Sequence, residues 1–141
     1  MSKKVVLIFL VILTVASFLR LYKISDIPPG VNRDEASIGY TAYSLLDTGK
    51  DEYGKVSPLS FQSFGDWKLP LYIYTTVPFV SVFGLSEIAV RLPSAIFGIL
   101  SVGLAFYLVR ILFKNNSLAF ITMFLAAISP WSIHLSRVES E

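Results

Sequence analysis

At 141 residues, with 54% hydrophobic and 16% charged side chains and a mean hydropathy of +0.65, the chain falls outside the composition of a water-soluble domain and reads as one polytopic membrane unit. Its net charge of +2 comes from scattered basic residues, which argues against a nucleic-acid partner. The absence of cysteine and the single histidine, His134, exclude disulfides, thiolate metal sites and a multi-histidine centre within this chain.

In chain order, Lys3 and Lys4 precede an apolar run that predicts a membrane span over residues 5–22. The run continues to Leu21 and Tyr22 without a small-x-small cleavage site, so it reads as a retained signal anchor with the lysines on the cytoplasmic side. Residues 23–88 then form a long external loop. Pro28-Pro29-Gly30 marks a turn no helix interior tolerates. Asn32 suits an N-cap and Glu35, three residues on, completes a capping-box pattern. Ile38, Ala42, Leu45 and Leu46 share one helical face, and the helix is expected to stop near Thr48-Gly49. That stripe is too short to cross a bilayer, so the helix lies along the membrane surface or packs on neighbouring spans.

Residues 69–84 are apolar but carry Pro70, Pro78 and several hydroxyls. Stronger runs follow, predicting spans over 89–113 and 117–134, the latter with Pro130-Trp131 near its end. If residues 69–84 cross the membrane, the chain has four spans and Arg110 and Lys114 lie outside. If they form a juxtamembrane piece, there are three spans, and Lys3, Lys4, Arg110 and Lys114 are all cytoplasmic, which obeys the positive-inside rule better. The expected fold class is therefore an all-α polytopic membrane protein, with three transmembrane helices and juxtamembrane helices in the first external loop; four transmembrane helices are the alternative.

Asp34 and Glu35 are the first candidates for chemistry. Adjacent helical residues point about 100 degrees apart, so one can face a cavity while the other anchors the helix. A carboxylate at the membrane surface can take a proton from a hydroxyl, or both acids can simply favour the helix N-terminus. Where the loop re-enters the apolar phase, Lys68 is placed to pair with a lipid phosphate. Trp67 and Tyr72 sit at headgroup depth or stack on a sugar, and Asp66 is a partner for Lys68. The same residues also make an interfacial anchor. Arg91 opens the strong span and either snorkels to the headgroups or contacts an anion. Arg137 suits bidentate phosphate binding. Ser136 and His134 do not make a hydrolase, because no strand-turn-helix elbow carries the serine.

Together, Arg33-Asp34-Glu35 opening a helix with Tyr40 and Tyr43, Thr48-Gly49, Asp66-Trp67-Lys68-Leu69-Pro70-Leu71-Tyr72, Phe83-Gly84-Leu85-Ser86-Glu87, Val90-Arg91-Leu92-Pro93-Ser94-Ala95, Ser129-Pro130-Trp131 and Ser136-Arg137 resemble the amino-terminal part of the GT-C membrane glycosyltransferases. The nearest group is the protein mannosyltransferase and aminoarabinose transferase-like enzymes. The resemblance covers nearly the whole chain.

It implies inverting transfer of a sugar from a polyprenyl-phosphate donor to a protein or lipid acceptor at the outer face of an integral, multi-pass plasma or inner membrane protein. Asp34 maps onto the expected general base, with Glu35 beside it. Lys68 maps onto the lysine of a Lys-Pro-Pro-Leu-Tyr stretch and is expected to meet the donor phosphate, although Leu69 replaces the first proline. Arg91 and Arg137 are further candidates for the phosphate or lipid. Tyr40, Asp66, Trp67, Tyr72 and His134 are expected to line the substrate site. The resemblance fixes no cofactor, and the acidic pair of Asp34 and Glu35 can assist a divalent cation or work without one. Family members are several hundred residues long, so residues 1–141 are expected to be an amino-terminal piece that is inactive alone. A transporter segment and a non-enzymatic membrane scaffold are the competing classes.

Overall fold

The computed structural model describes residues 2–56, 58–63 and 66–138. Helix α1 (Lys3–Leu21) is followed by α2 (Arg33–Thr48), a hairpin of β1 (Phe61–Ser63) and β2 (Asp66–Lys68), α3 (Pro70–Phe83), α4 (Glu87–Phe113), α5 (Asn116–Ile128) and the single-turn-plus α6 (Pro130–Leu135). These elements divide into two compact units, one of Met1–Lys23 with Ser94–Arg137 and one centred on Ile24–Pro93.

Two helices, α1 and α4, are long and apolar enough to cross a membrane. Their 19 and 27 residues extend about 28 and about 40 Å, against a hydrocarbon core of about 30 Å. Hydroxyls within α1 are satisfied locally, as a low-dielectric environment demands: Thr14 donates to the Leu10 carbonyl and Ser17 to the Leu13 carbonyl, each at 2.8 Å.

In the first unit, α1, α5 and the later part of α4 bury Ala16, Val102, Phe106, Ala119, Met123 and Ala127. Three of those six are alanines, which let helix backbones approach closely. Between helices in lipid, that close packing matters more than exclusion of water. Phe106 anchors the cluster, edge-on to Phe9 at 5.3 Å and tilted against Phe120 at 4.8 Å. Leu104, Ile111 and Leu125 remain exposed, as expected of side chains that face hydrocarbon.

The expected third span over 117–134 is not one helix. Helix α5 covers 13 residues and stops at Ser129; Pro130 then starts α6, with the Ser129 hydroxyl accepting from the Ser132 amide. Proline has no amide to continue the α5 ladder but suits a first helical turn, so Ser129-Pro130 breaks the run.

In the second unit, α2 packs on α3 and on the start of α4. Ile38, Phe61, Ile73 and Val90 form one buried cluster, and Ala42, Val80 and Ala89 another. Residues 23–88 hold two helices, α2 and α3. The 14 residues of α3 reach only about 21 Å. The hairpin departs from the all-α expectation: Phe61 pairs with Lys68, Gln62 with Trp67 and Ser63 with Asp66, antiparallel. Its strands are three residues each, too short for a visible alternation of polar and apolar positions.

Candidate active site

The acidic pair at the start of α2 is split by its surroundings. The Asn32 side chain accepts the Glu35 amide at 2.7 Å and Glu35 Oε2 accepts the Asn32 amide at 3.1 Å, completing the capping box. At the other end, Gly49 takes the left-handed conformation at φ 71 and its amide closes on the Leu45 carbonyl. The helix is thereby fixed where its sequence signals place it.

Glu35 is buried and grips Arg91 in a two-pronged pair, Oε1 to Nε at 2.8 Å and Oε2 to Nη2 at 3.1 Å. The rest of the Arg91 guanidinium gathers main-chain carbonyls. Nη1 donates to Ile24 and Pro28, both at 3.0 Å, and Nη2 to Gly30 at 2.6 Å. Glu87, one turn earlier on α4, adds a longer contact at 3.7 Å. One fully buried cation therefore ties the loop of residues 24–30, whose Ile27–Pro28 bond is cis, to the first turn of α2. Planar, five-donor arginine can serve so many acceptors at once; lysine cannot.

Asp34 points the other way. Its carboxylate is 54% exposed and its Oδ1 lies 3.0 Å from the Nζ of Lys68, a side chain only 5% exposed. The same ammonium donates to the Asp34 main-chain carbonyl at 3.4 Å. Lys68 reaches it from β2, and the hairpin is pinned to the same side of α2 by the Ser37 and Ser63 hydroxyls, 2.5 Å apart and buried. Helical geometry explains the grouping, since positions 34, 37 and 41 lie on one flank of α2.

The opposite flank of α2 borders a mostly apolar cavity of about 480 Å³, walled by Val31, Ala36, Gly39, Tyr40, Leu85 and Val90. Gly39 keeps this wall close: a Cβ there would meet Val90 Cγ2 at 2.9 Å and Leu85 Cδ1 at 3.2 Å. Tyr40 is half exposed at its edge.

Of the other expected lining residues, Trp67 is exposed with the Lys55 ammonium 5.3 Å over its ring. The Tyr72 hydroxyl donates to the Val90 carbonyl at 2.7 Å, tying α3 to α4. Asp66 pairs with Ser63 in the hairpin; its side chain lies outside the described part. Nearby, burial and then the neighbouring Asp51 raise the pKa of the Glu52 carboxyl, with Lys68 opposing. Among the described residues no three His, Cys, Asp or Glu side chains are grouped to hold a metal ion.

Arg137 and His134 belong to the other unit. His134 is exposed on α6. Arg137 is largely buried and donates to the carbonyls of Leu19 at 2.8 Å and Tyr22 at 2.7 Å, with Lys23 at 3.2 Å. Sequence reasoning passed over Arg20, which is fully buried and donates to Ala127 at 3.1 Å, Ala126 at 3.2 Å and the Ser132 hydroxyl at 2.9 Å. Its signal is an arginine in the last turn of an otherwise apolar helix with no acid nearby, which calls for carbonyl partners.

No curated protein and no solved structure matches the chain. Residues 10–139, by contrast, match the family model of the dolichyl-phosphate-mannose-protein mannosyltransferases. That match spans almost all of an apolar chain that carries the acid pair of α2 and Lys68, and the protein belongs to this family of membrane glycosyltransferases.

Proposed function

We propose that the protein transfers a sugar from a polyprenyl-phosphate-linked donor to a hydroxyl of a protein or lipid acceptor at the outer face of the membrane, with inversion at the anomeric carbon. The observation that carries this reading is the Asp34–Lys68 pair, an accessible carboxylate and a sheltered ammonium 3.0 Å apart. In this mechanism the acceptor oxygen attacks the anomeric carbon while its proton passes to Asp34. The bond from that carbon to the phosphate oxygen breaks, and the electron pair leaves on the lipid phosphate. Lys68 offsets the charge that develops there.

Asp34 reacts in this reading, whereas Glu35 and Arg91 position it, because both are committed to holding the first turn of α2 in place. Tyr40 and Trp67 supply exposed aromatic faces to the lipid chain and the sugar. In this reading the chain crosses the membrane three times, α3 lies at the outer surface and the loop of residues 23–88 faces outside. The test is transfer of labelled mannose from polyprenyl-phosphate mannose in membranes containing the protein. Asp34→Asn should lower turnover at least about 100-fold, the scale of a lost general base, with membrane insertion unchanged. Undiminished turnover removes Asp34 from the mechanism.

A further inference from the structure

We infer that Lys68 is exchanged between two anions, Asp34 in the empty site and the donor's phosphate in the loaded one, so that donor binding itself releases the base. The inference rests on the reading of Asp34 and Lys68 given above and adds an order of events to it.

The asymmetry of the pair supports exchange over simple opening. Lys68 is 5% exposed and Asp34 54%. Leaving a nearly buried ammonium without an anion is costly, whereas a half-exposed carboxylate gives up its partner to water at little cost. An incoming phosphate removes the costly part, because the ammonium keeps an anionic partner throughout. Both described contacts of Nζ go to Asp34, one to the carboxylate and one to the main-chain carbonyl. The side-chain contact is the one a phosphate oxygen can replace, since the carbonyl is fixed in the first turn of α2.

The consequence is a preferred order. In the empty site the Lys68 ammonium occupies Asp34 Oδ1, so that oxygen is not open to an acceptor hydroxyl. Once phosphate occupies Nζ, both carboxylate oxygens are. After transfer, the protonated Asp34 is neutral and no longer competes for Lys68, which keeps the lipid phosphate bound. Loss of that proton to water restores the carboxylate, which returns to Nζ and helps expel the spent lipid.

The test uses the purified full chain in detergent micelles, with aspartate carboxyl carbons labelled for NMR, titrated with farnesyl phosphate. Saturation should move the Asp34 carboxyl signal. Asp34→Asn, which removes the competing anion, should bind farnesyl phosphate about five- to tenfold more tightly, and Lys68→Met should weaken binding at least about tenfold. Inorganic phosphate moving the same signal assigns the effect to the phosphate group itself; a response to farnesol alone contradicts the exchange. An Asp34→Asn chain that binds no more tightly, or an Asp34 signal unmoved at saturation, overturns the inference. Should Lys68→Met fail to fold, Asp34→Asn still decides, because a folding defect does not produce tighter binding. Tighter binding with undiminished transfer retains the exchange and rejects Asp34 as base. Lost transfer without tighter binding does the reverse.

Discussion

Arg20 and Arg137 trade helix ends. Arg20, on the last turn of α1, donates to the Ala126 and Ala127 carbonyls in the last turn of α5, and Arg137, just past α6, donates to the Leu19, Tyr22 and Lys23 carbonyls where α1 stops. The last four carbonyls of any helix lack partners within it, and in an apolar setting each must find one. The two side chains meet that need for Leu19 of α1 and for Ala126 and Ala127 of α5, and Arg137 also takes the Tyr22 and Lys23 carbonyls just past α1. Replacing either arginine by methionine should cost about 2–4 kcal/mol, because several charged hydrogen bonds are lost and acceptors are left bare. Lysine should rescue only part of this, lacking the planar fork. Unfolding of the purified chain in mixed micelles, followed by circular dichroism, checks both, and a loss below 0.5 kcal/mol in each variant (roughly the effect of an ordinary surface change) contradicts the arrangement.

Gly98 is the clearance for this exchange. A Cβ there would come within 3.1 Å of both Arg20 Nε and the Ser136 hydroxyl. Gly98→Ala should therefore destabilise by about 1–3 kcal/mol, the usual scale of overpacking, despite alanine's better helix propensity. Gly103, whose added Cβ would meet Phe9 only at 3.6 Å, should accept alanine without loss. Parallel melts of the two variants distinguish steric conflict from a general effect on α4.

The two acids that open α2 should respond in opposite ways. Glu35→Ala leaves the fully buried Arg91 without its carboxylate and should cost about 3–5 kcal/mol. Asp34→Asn breaks a pair whose acid is half exposed and should cost under about 1 kcal/mol. If thermal unfolding ranks them the other way, the division of labour between positioning and reaction is wrong.

Glu52 gives a pH test outside the spans. Its pKa is raised above 4.5 in the folded chain, first by burial and then by Asp51. A raised acid favours folding most fully below its unfolded pKa, and that contribution is lost as pH rises through the folded value. Stability of the wild-type chain should therefore fall relative to Glu52→Gln as pH climbs from about 4 toward neutrality. Equal pH profiles for the two chains would falsify this.

How much of this is visible in the sequence depends on the reach of each signal. The boundaries of α2 are local: Asn32 and Glu35 three residues apart, Thr48-Gly49 at the end, and both appear in the structure as read. The distinction between Asp34 and Glu35 is not local, because it is made by Arg91, 56 residues after Glu35. The hairpin lay hidden because three-residue strands show no periodicity. Ser129-Pro130 was seen, yet its effect depends on whether the freed carbonyls find a partner, and that partner is Arg20, 107 residues away from Ala127. Long-range pairing by lone arginines leaves almost no trace in composition or pattern.

That last distance bears on how the protein is made. Arg20 leaves the ribosome more than a hundred residues before the carbonyls it serves. A bare guanidinium at the end of a newly inserted apolar helix is expensive in hydrocarbon and is eased by snorkelling toward the headgroups. The first helix should therefore be held near the interface until the α5–α6 break is synthesised and supplies those carbonyls. With Arg20 kept and a single cysteine reporter introduced by Ser17→Cys, chains stalled before Ser129 should leave that thiol open to a water-soluble reagent, and chains extended past Arg137 should close it.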